Sequence, residues 1–156
     1  MKKTVSGELA FAYPEYLDTM TADEVKKYFC DQTSRMGLRS VERHMIVSVS
    51  NTKPKLVLYL TDAKSVVGGA ERSMKRNLKN YRRIDKRMLY VASKKACSVS
   101  FEYTASDSPV EQVGELVVFR VKNKFYSIYY VSRKSLHEQN YTDFQAILNS
   151  MELVGP

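Results

Sequence analysis

The chain contains few of the residues that build metal and redox sites. Its 156 residues include two cysteines, two histidines and no tryptophan. Cys30 and Cys97 form no CxxC pair, so their spacing indicates neither a zinc site nor a disulfide framework. His44 and His137 lie far apart, without the HxxxH or HExxH spacing of preformed metal ligands. We therefore expect free thiols, no bound metal, and a solvated loop at His137.

A long hydrophobic run is also missing. No stretch approaches the roughly 18 apolar residues that a membrane-spanning helix requires. The basic start Met1–Thr4 is followed by Gly7, Glu8 and Pro14, which interrupt the apolar core that a secretory signal needs. The sequence predicts a cytoplasmic protein, with a trimmed form of a secreted or lipid-anchored protein as the alternative.

The common catalytic motifs are absent. There is no GxSxG elbow, and the glycine pair in "VVGGAERS" is not followed by the lysine of a phosphate-binding loop. Cys97 is in phase with Val99 and Phe101 on one face of a predicted strand, which indicates burial in the core. Asp23 and Glu24 fall in the first turn of a predicted helix, where negative charge is favoured. We expect no enzymatic activity and no cofactor.

Hydrophobic patterning predicts one continuous domain over residues 1–156, long enough to bury its own core. Strands are predicted in "SGELAFAYP", "HMIVSVS", "KLVLYLT", "RRIDKRMLYVA", "ACSVSFEYT", "VGELVVFRV" and "FYSIYYVS", with "NTKP" as a hairpin turn. Helices are predicted from Thr21 to Gly37, after Asp62, and over residues 141–152, where Phe144, Ile147, Leu148 and Met151 form the buried face.

The last two predicted strands are apolar on both faces, as strands covered on both sides are. Consecutive strands joined by short turns pair antiparallel. The predicted fold is therefore α+β, a mainly antiparallel sheet of six or seven strands flanked by helices on both faces. Tyr126, Tyr129 and Tyr130 in this region are either core residues or the lining of a ligand groove.

Two end motifs resemble a known family. One motif is the opening "GELAFAYP" with its following helix, and the other is the closing "FYSIYYVSRKSLHEQNYTDFQAILNSMEL". Both are similar to motifs of the PsbP-like (DcrB-type) α/β/α sandwich superfamily, and the chain resembles a bacterial member of it. The superfamily includes extrinsic photosystem subunits, a Ran-binding import regulator and secretion-effector adaptors. This resemblance implies a binding or adaptor role without shared catalytic residues.

One segment carries the entire excess of positive charge. Residues 72–95 hold ten Lys or Arg and one acid, a local charge of +9, while all other residues hold 15 basic and 16 acidic side chains. Helical spacing places Arg72, Lys75, Arg76 and Lys79 on one face, opposite the apolar face that ends with Leu78 and Tyr81. The candidate interaction surface, called the basic surface below, comprises Arg72, Lys75, Arg76, Lys79, Arg82, Arg83, Lys86 and Arg87.

Gly68 and Gly69 precede these cations. They lie either inside the helix, where they expose its backbone beside the basic side chains, or in a turn before a helix that starts near Ala70. Within the helix they would let an anion or a partner's backbone approach.

Three interpretations of the basic surface remain open. It is a solvated face that meets an acidic protein partner, a nucleic-acid or anion site, or a membrane-attracted surface. Base-stacking aromatics are scarce among the cations, and the apolar face of the helix is needed by the sheet. The sequence therefore favours a protein-binding or adaptor module, with anion or nucleic-acid binding as the alternative.

Overall fold

A computed structural model describes residues 1–29, 34–53 and 62–155 of the chain. The described helices are α1 Ala22–Phe29, α2 Ala63–Asn77 and α3 His137–Ser150. The described strands are β1 Lys2–Ser6, β2 Leu9–Tyr13, β3 Asp18–Thr19, β4 Ser34–Ser40, β5 Met45–Thr52, β6 Lys79–Val91, β7 Lys94–Thr104, β8 Glu111–Val121, β9 Lys124–Arg133 and β10 Glu152–Leu153.

The main sheet has seven strands in the order β3-β4-β5-β9-β8-β7-β6, and all its neighbouring pairs are antiparallel. Strands β8 and β9 lie inside the sheet, as their apolar residues on both faces predicted. Val117 and Phe119 of β8 are buried on one face, and Leu116 and Val118 are buried on the other. The predicted α+β architecture is confirmed.

One face of the main sheet, called the α3 face, is covered by α3 and by a small sheet. This small sheet has the order β1-β2-β10. Leu9 of β2 and Phe144 and Ile147 of α3 are fully buried against it. The first predicted strand thus exists, but it belongs to the small sheet, and its neighbour β1 had no recognisable alternation in the sequence.

The opposite face, called the α2 face, is covered by α2. Asp62 caps this helix by accepting a hydrogen bond from the backbone N–H of Ser65 at 2.8 Å. Val67 packs against Cys97 and Val99, and the burial predicted for Cys97 is confirmed at 1% exposure. Helices or small-sheet strands therefore cover both faces of the main sheet.

Helix α2 begins after Asp62 as predicted, but it ends earlier than predicted. Gly68 and Gly69 lie inside it, so the alternative of a start near Ala70 is wrong. The helix ends at Asn77, because Leu78 is extended and the chain continues directly into β6. Lys79 and Tyr81, predicted on the helix, are therefore strand residues.

The first predicted helix does not extend to Gly37. The reciprocal bonds between Thr21 and Glu24 confirm its capping box, and α1 is described over Ala22–Phe29. Met36 and Gly37 lie in β4, where the Gly37 carbonyl accepts a hydrogen bond from the Met20 N–H at 2.8 Å. Strand pairing with β5 and this contact override the helical spacing.

Two other predictions concern the segments outside the described residues and His137. The strand "KLVLYLT" and Cys30 lie outside the described residues, while β5 pairs with β4 and β9. His137, predicted in a solvated loop, begins α3 and is half-buried; its Nδ1 lies 3.0 Å from the hydroxyl of Tyr130. Burial lowers the pKa of His137.

Candidate interaction surface

The eight residues of the basic surface lie on two consecutive elements. Arg72, Lys75 and Arg76 project from the second half of α2, and the other five belong to β6, which begins two residues after the helix ends. Seven of the eight residues are exposed, whereas Lys86 is half-buried. The structure thus places them on one helix and on the edge strand that follows it.

Arg83 is held by a buried carboxylate beneath α2. Glu71 is 3% exposed, and the guanidinium of Arg83 donates to both of its carboxylate oxygens, with Nε at 2.7 Å from Oε2. The hydroxyl of Tyr81 donates to the same Oε2 at 2.8 Å. Arg83, as the main cause, holds the pKa of Glu71 at about 2, well below its ordinary value of 4.5. This network fastens the helix to β6.

The sequence did contain a signal for this pair. Glu71 follows Val67 by one helical turn, so it lies at the margin of the apolar side of α2, with Lys75 one turn further along. A carboxylate at such a position needs a charged or hydrogen-bonding partner when it is buried. Its partner could not be chosen among the many neighbouring cations, because the register of β6 against the helix is a tertiary feature.

Two further arginines form ion pairs within the protein. The exposed Arg82 binds Glu102 of β7 at 2.6 Å. Arg87 lies 3.6 Å from the buried Glu115 of β8 and donates to the hydroxyl of Tyr141 at 3.1 Å. These arginines are therefore already engaged by carboxylates of the fold.

The other five cations of the basic surface differ from these arginines. Over residues 1–29, 34–53 and 62–155, the structure shows no ion pair for Arg72, Lys75, Arg76, Lys79 and Lys86. Lys75 lies close enough to Glu71 to help lower its pKa. We call these five residues the open cations. They are the part of the basic surface whose charge remains available to a partner.

The glycine pair is covered by one of these cations. A Cβ atom at Gly68 would lie 3.7 Å from Nη1 of Arg72, and one at Gly69 would lie 3.6 Å from its Nη2. Both distances are ordinary van der Waals contacts. The guanidinium thus lies along the glycine backbone, and the approach of an anion there, suggested by the sequence, requires Arg72 to swing away.

A cavity lies on the α2 face of the main sheet, with a volume of about 980 Å³. Tyr103 and Tyr129 are among its lining residues, and burial raises the pKa of both phenols, which keeps them protonated. Tyr126 and Tyr130 are fully buried in the core on the α3 face. Of the three tyrosines considered for a ligand groove, Tyr129 alone lines this cavity.

Other chemical sites are not evident in the part of the chain that the structure describes. Within it, no three His, Cys, Asp or Glu side chains gather as metal ligands would. Burial raises the pKa of the Cys97 thiol, so this cysteine is not an activated nucleophile. The described helices are also too short or too polar to cross a membrane.

Comparison with known proteins shows similarity at the level of the fold. No protein-family model and no curated protein matches the sequence. The solution structure of cyanobacterial PsbP (CyanoP) from Synechocystis aligns with a TM-score of 0.68 and 11% identity, over 98% of this chain and 92% of that one. The Ran-binding protein Mog1p of Saccharomyces cerevisiae aligns with a TM-score of 0.61 and 9% identity, over 99% and 96%.

A crystal structure from Bacteroides thetaiotaomicron also aligns, with a TM-score of 0.64 and 9% identity. The alignment covers 99% of this chain but 48% of that protein, so the chain spans about half of its length. These similarities confirm the PsbP-like fold that the sequence predicted.

Proposed function

We propose that this protein is a non-enzymatic protein-binding or adaptor module that contacts an acidic protein partner through the open cations. The observation that carries the proposal is the division within the basic surface. Carboxylates of the fold engage Arg82, Arg83 and Arg87, whereas the open cations lie on α2 and β6 without an ion pair to any described residue. Uncompensated charge of one sign favours association with the opposite sign.

The neighbouring folds are compatible with this role. Mog1p is named as a Ran-binding protein, so a chain of similar fold binds another protein. That likeness supports a binding role in general and carries no residue over to this chain.

Charge reversal tests the proposal. We expect a variant with Arg72, Lys75, Arg76 and Lys79 all changed to Glu to lose the partners that the native protein retains in a pull-down from its own cells. The four residues are exposed, and Glu71 with its bond to Arg83 is left intact. Circular dichroism checks that the variant remains folded.

A matched control keeps the change in net charge the same. It reverses four exposed lysines elsewhere, namely Lys2, Lys3, Lys26 and Lys53. The control should retain the partners. Equal retention by both variants would show that the open cations are not the contact surface.

The alternative function is anion or nucleic-acid binding through the same cations. Tyr81 stacks on Phe101 and donates to Glu71, so it is not available to stack on a base. Tyr90 of β6 is exposed, but a single exposed tyrosine is a small platform for stacking bases, and this ranks the alternative second. Titration with random-sequence nucleic acid at two salt concentrations separates the two, since binding that falls steeply with salt favours the alternative and its absence at low salt eliminates it.

A further inference from the structure

Strand β6 forms a long edge of the main sheet. It pairs with β7 on one side, and among the described residues no strand pairs with its other side. At Lys79–Val91 it is 13 residues long, whereas the strand at the opposite edge, β3, has two residues. In an antiparallel pair, alternate residues direct their N–H and C=O groups away from the neighbour. Strand β6 therefore presents a row of hydrogen-bonding groups to a further strand.

Only the second half of this edge is regular. Register shifts against β7 occur between Lys79 and Arg82 and between Arg83 and Asp85. From Asp85 to Val91, every residue pairs in turn, without a shift. Bulges protect the first half from pairing with a further strand, because they twist the edge away from the sheet plane. The regular half has no such protection.

The side chains of this regular half combine charge with exposed apolar groups. Lys86, Met88 and Tyr90 pair with Val99, Cys97 and Lys95 of β7, which places the three on the α2 face. Met88 is 48% exposed and Tyr90 is 73% exposed. On the α2 face of the sheet, the side chains of an added strand would lie beside one cation, Lys86, and two apolar side chains, Met88 and Tyr90.

Charge decides between a second copy of this chain and a different partner. If the regular halves of two copies paired antiparallel about Met88, Lys86 of one copy would lie opposite Tyr90 of the other, so no like charges would be directly opposed. Each β6 strand as a whole nevertheless holds five cations and one acid, Asp85, so two copies of the strand repel each other by their net charge. An acidic strand would instead meet opposite charge. The edge is thus selective against itself and suited to an acidic segment.

We propose that residues Asp85–Val91 of β6 accept an extended acidic segment of a partner protein, which adds to the main sheet as an eighth strand. Backbone hydrogen bonds supply the binding mode, Lys86 attracts the acidic side chains, and Met88 and Tyr90 pack on the apolar ones. This inference rests on the proposed function and specifies how the partner binds.

A synthetic peptide tests the pairing directly. The probe is a fluorescein-labelled peptide of about nine residues, the length of a strand. One face of the peptide carries Glu at one end, to meet Lys86, and Val at the following alternate positions, to meet Met88 and Tyr90. Its other face carries Thr and Glu. Two further peptides carry N-methyl groups on alternate residues. In one peptide the methyl groups lie along one edge of the strand, and in the other they lie along the opposite edge. Methylation keeps the charge but removes the backbone donors of that edge.

We expect the unmodified peptide to bind, as measured by fluorescence polarisation. Methylation of one edge should weaken binding by more than about tenfold, while methylation of the other edge should have little effect, because only one edge pairs with β6. Hydrogen exchange should show new protection at residues 85–91. A Lys86→Glu variant should bind weakly, whereas Lys53→Glu, exposed and distant in sequence, should bind as the native protein does.

Two results would overturn the inference. If the native protein does not bind the unmodified peptide even at low salt, the edge does not accept an acidic strand. If both methylated peptides bind as tightly as the unmodified one, attraction is by charge alone, and the proposed function stands without strand addition. The pull-down with the charge-reversed variant tests the proposed function independently of either result.

Discussion

The substitution Glu71→Gln tests whether a single buried ion pair fastens α2 to β6. Glutamine resembles the protonated glutamic acid in shape and can still accept the hydrogen bond from Tyr81. It removes the negative charge that binds Arg83 through two parallel bonds. The change therefore isolates the ionic part of the contact.

The magnitude follows from the pKa of Glu71. A fall from 4.5 to about 2 corresponds to an upper limit of about 3 kcal/mol in favour of the ionised form in the folded state. The side chain of Arg83 is 44% exposed, so solvent screens part of this attraction. We expect Glu71→Gln to lower the free energy of unfolding by about 2 kcal/mol near neutral pH.

The pH dependence has a defined sign. The folded-state pKa of Glu71 lies below the unfolded value, so its stabilisation is complete above about pH 5 and is lost as the pH falls toward 2. The native protein should therefore lose this contribution on acidification, whereas Glu71→Gln has none to lose. The stability difference between the two should narrow by about 1 kcal/mol or more between about pH 6 and about pH 3.

Urea unfolding followed by far-ultraviolet circular dichroism measures these differences, since the chain has no tryptophan. The control is Glu102→Gln, which breaks the pairs of Glu102 with the exposed Arg82 and Lys134 and should cost about 1 kcal/mol or less. If the two variants lose equal stability, or if Glu71→Gln is as much less stable than the native protein at low pH as at neutral pH, the ion pair with Arg83 does not fasten α2 to β6.

Two glycines are expected to respond in opposite directions, and the same unfolding assay measures both. Gly69→Ala should stabilise the protein by about 0.5–1 kcal/mol, because the position is helical and a Cβ there meets only Arg72 at 3.6 Å; a destabilised variant would contradict this. Gly114→Ala should destabilise by about 2 kcal/mol, because its Cβ would lie 2.6 Å from the fully buried ring of Phe101; unchanged stability would show that this ring relaxes freely.

The sequence predicted the sheet region well because its signal is local. Strands β5 to β9 follow from alternating or continuous apolar residues, and α2 from its Asp62 cap and helical spacing. The predictions were less accurate where a local pattern competed with pairing. Residues 34–37 had helical spacing, yet pairing of β4 with β5 makes them a strand. Strand β1 has no alternating pattern of its own and pairs with β2 over its whole length.

The basic surface shows the same division. The excess of charge in residues 72–95 is a property of the sequence and needs no fold to be recognised. The sequence does not show which of these cations are paired with carboxylates. Glu71, Glu102 and Glu115 are separated in the sequence by up to 44 residues and are brought to their arginines by the packing of α2 and the register of β6 and β7.

By itself the sequence determined the α+β class, the central strands, the buried Cys97 and the location of the positive charge, because hydrophobic period and charge content are local quantities. Tertiary structure alone decided that β6 is the last strand of the main sheet, with one regular half. It also decided that three arginines of the basic surface are paired while its other five cations have no ion pair within the described residues. The physical reason is that hydrogen-bond partners and ion pairs depend on distances between residues far apart in the chain, which only packing sets.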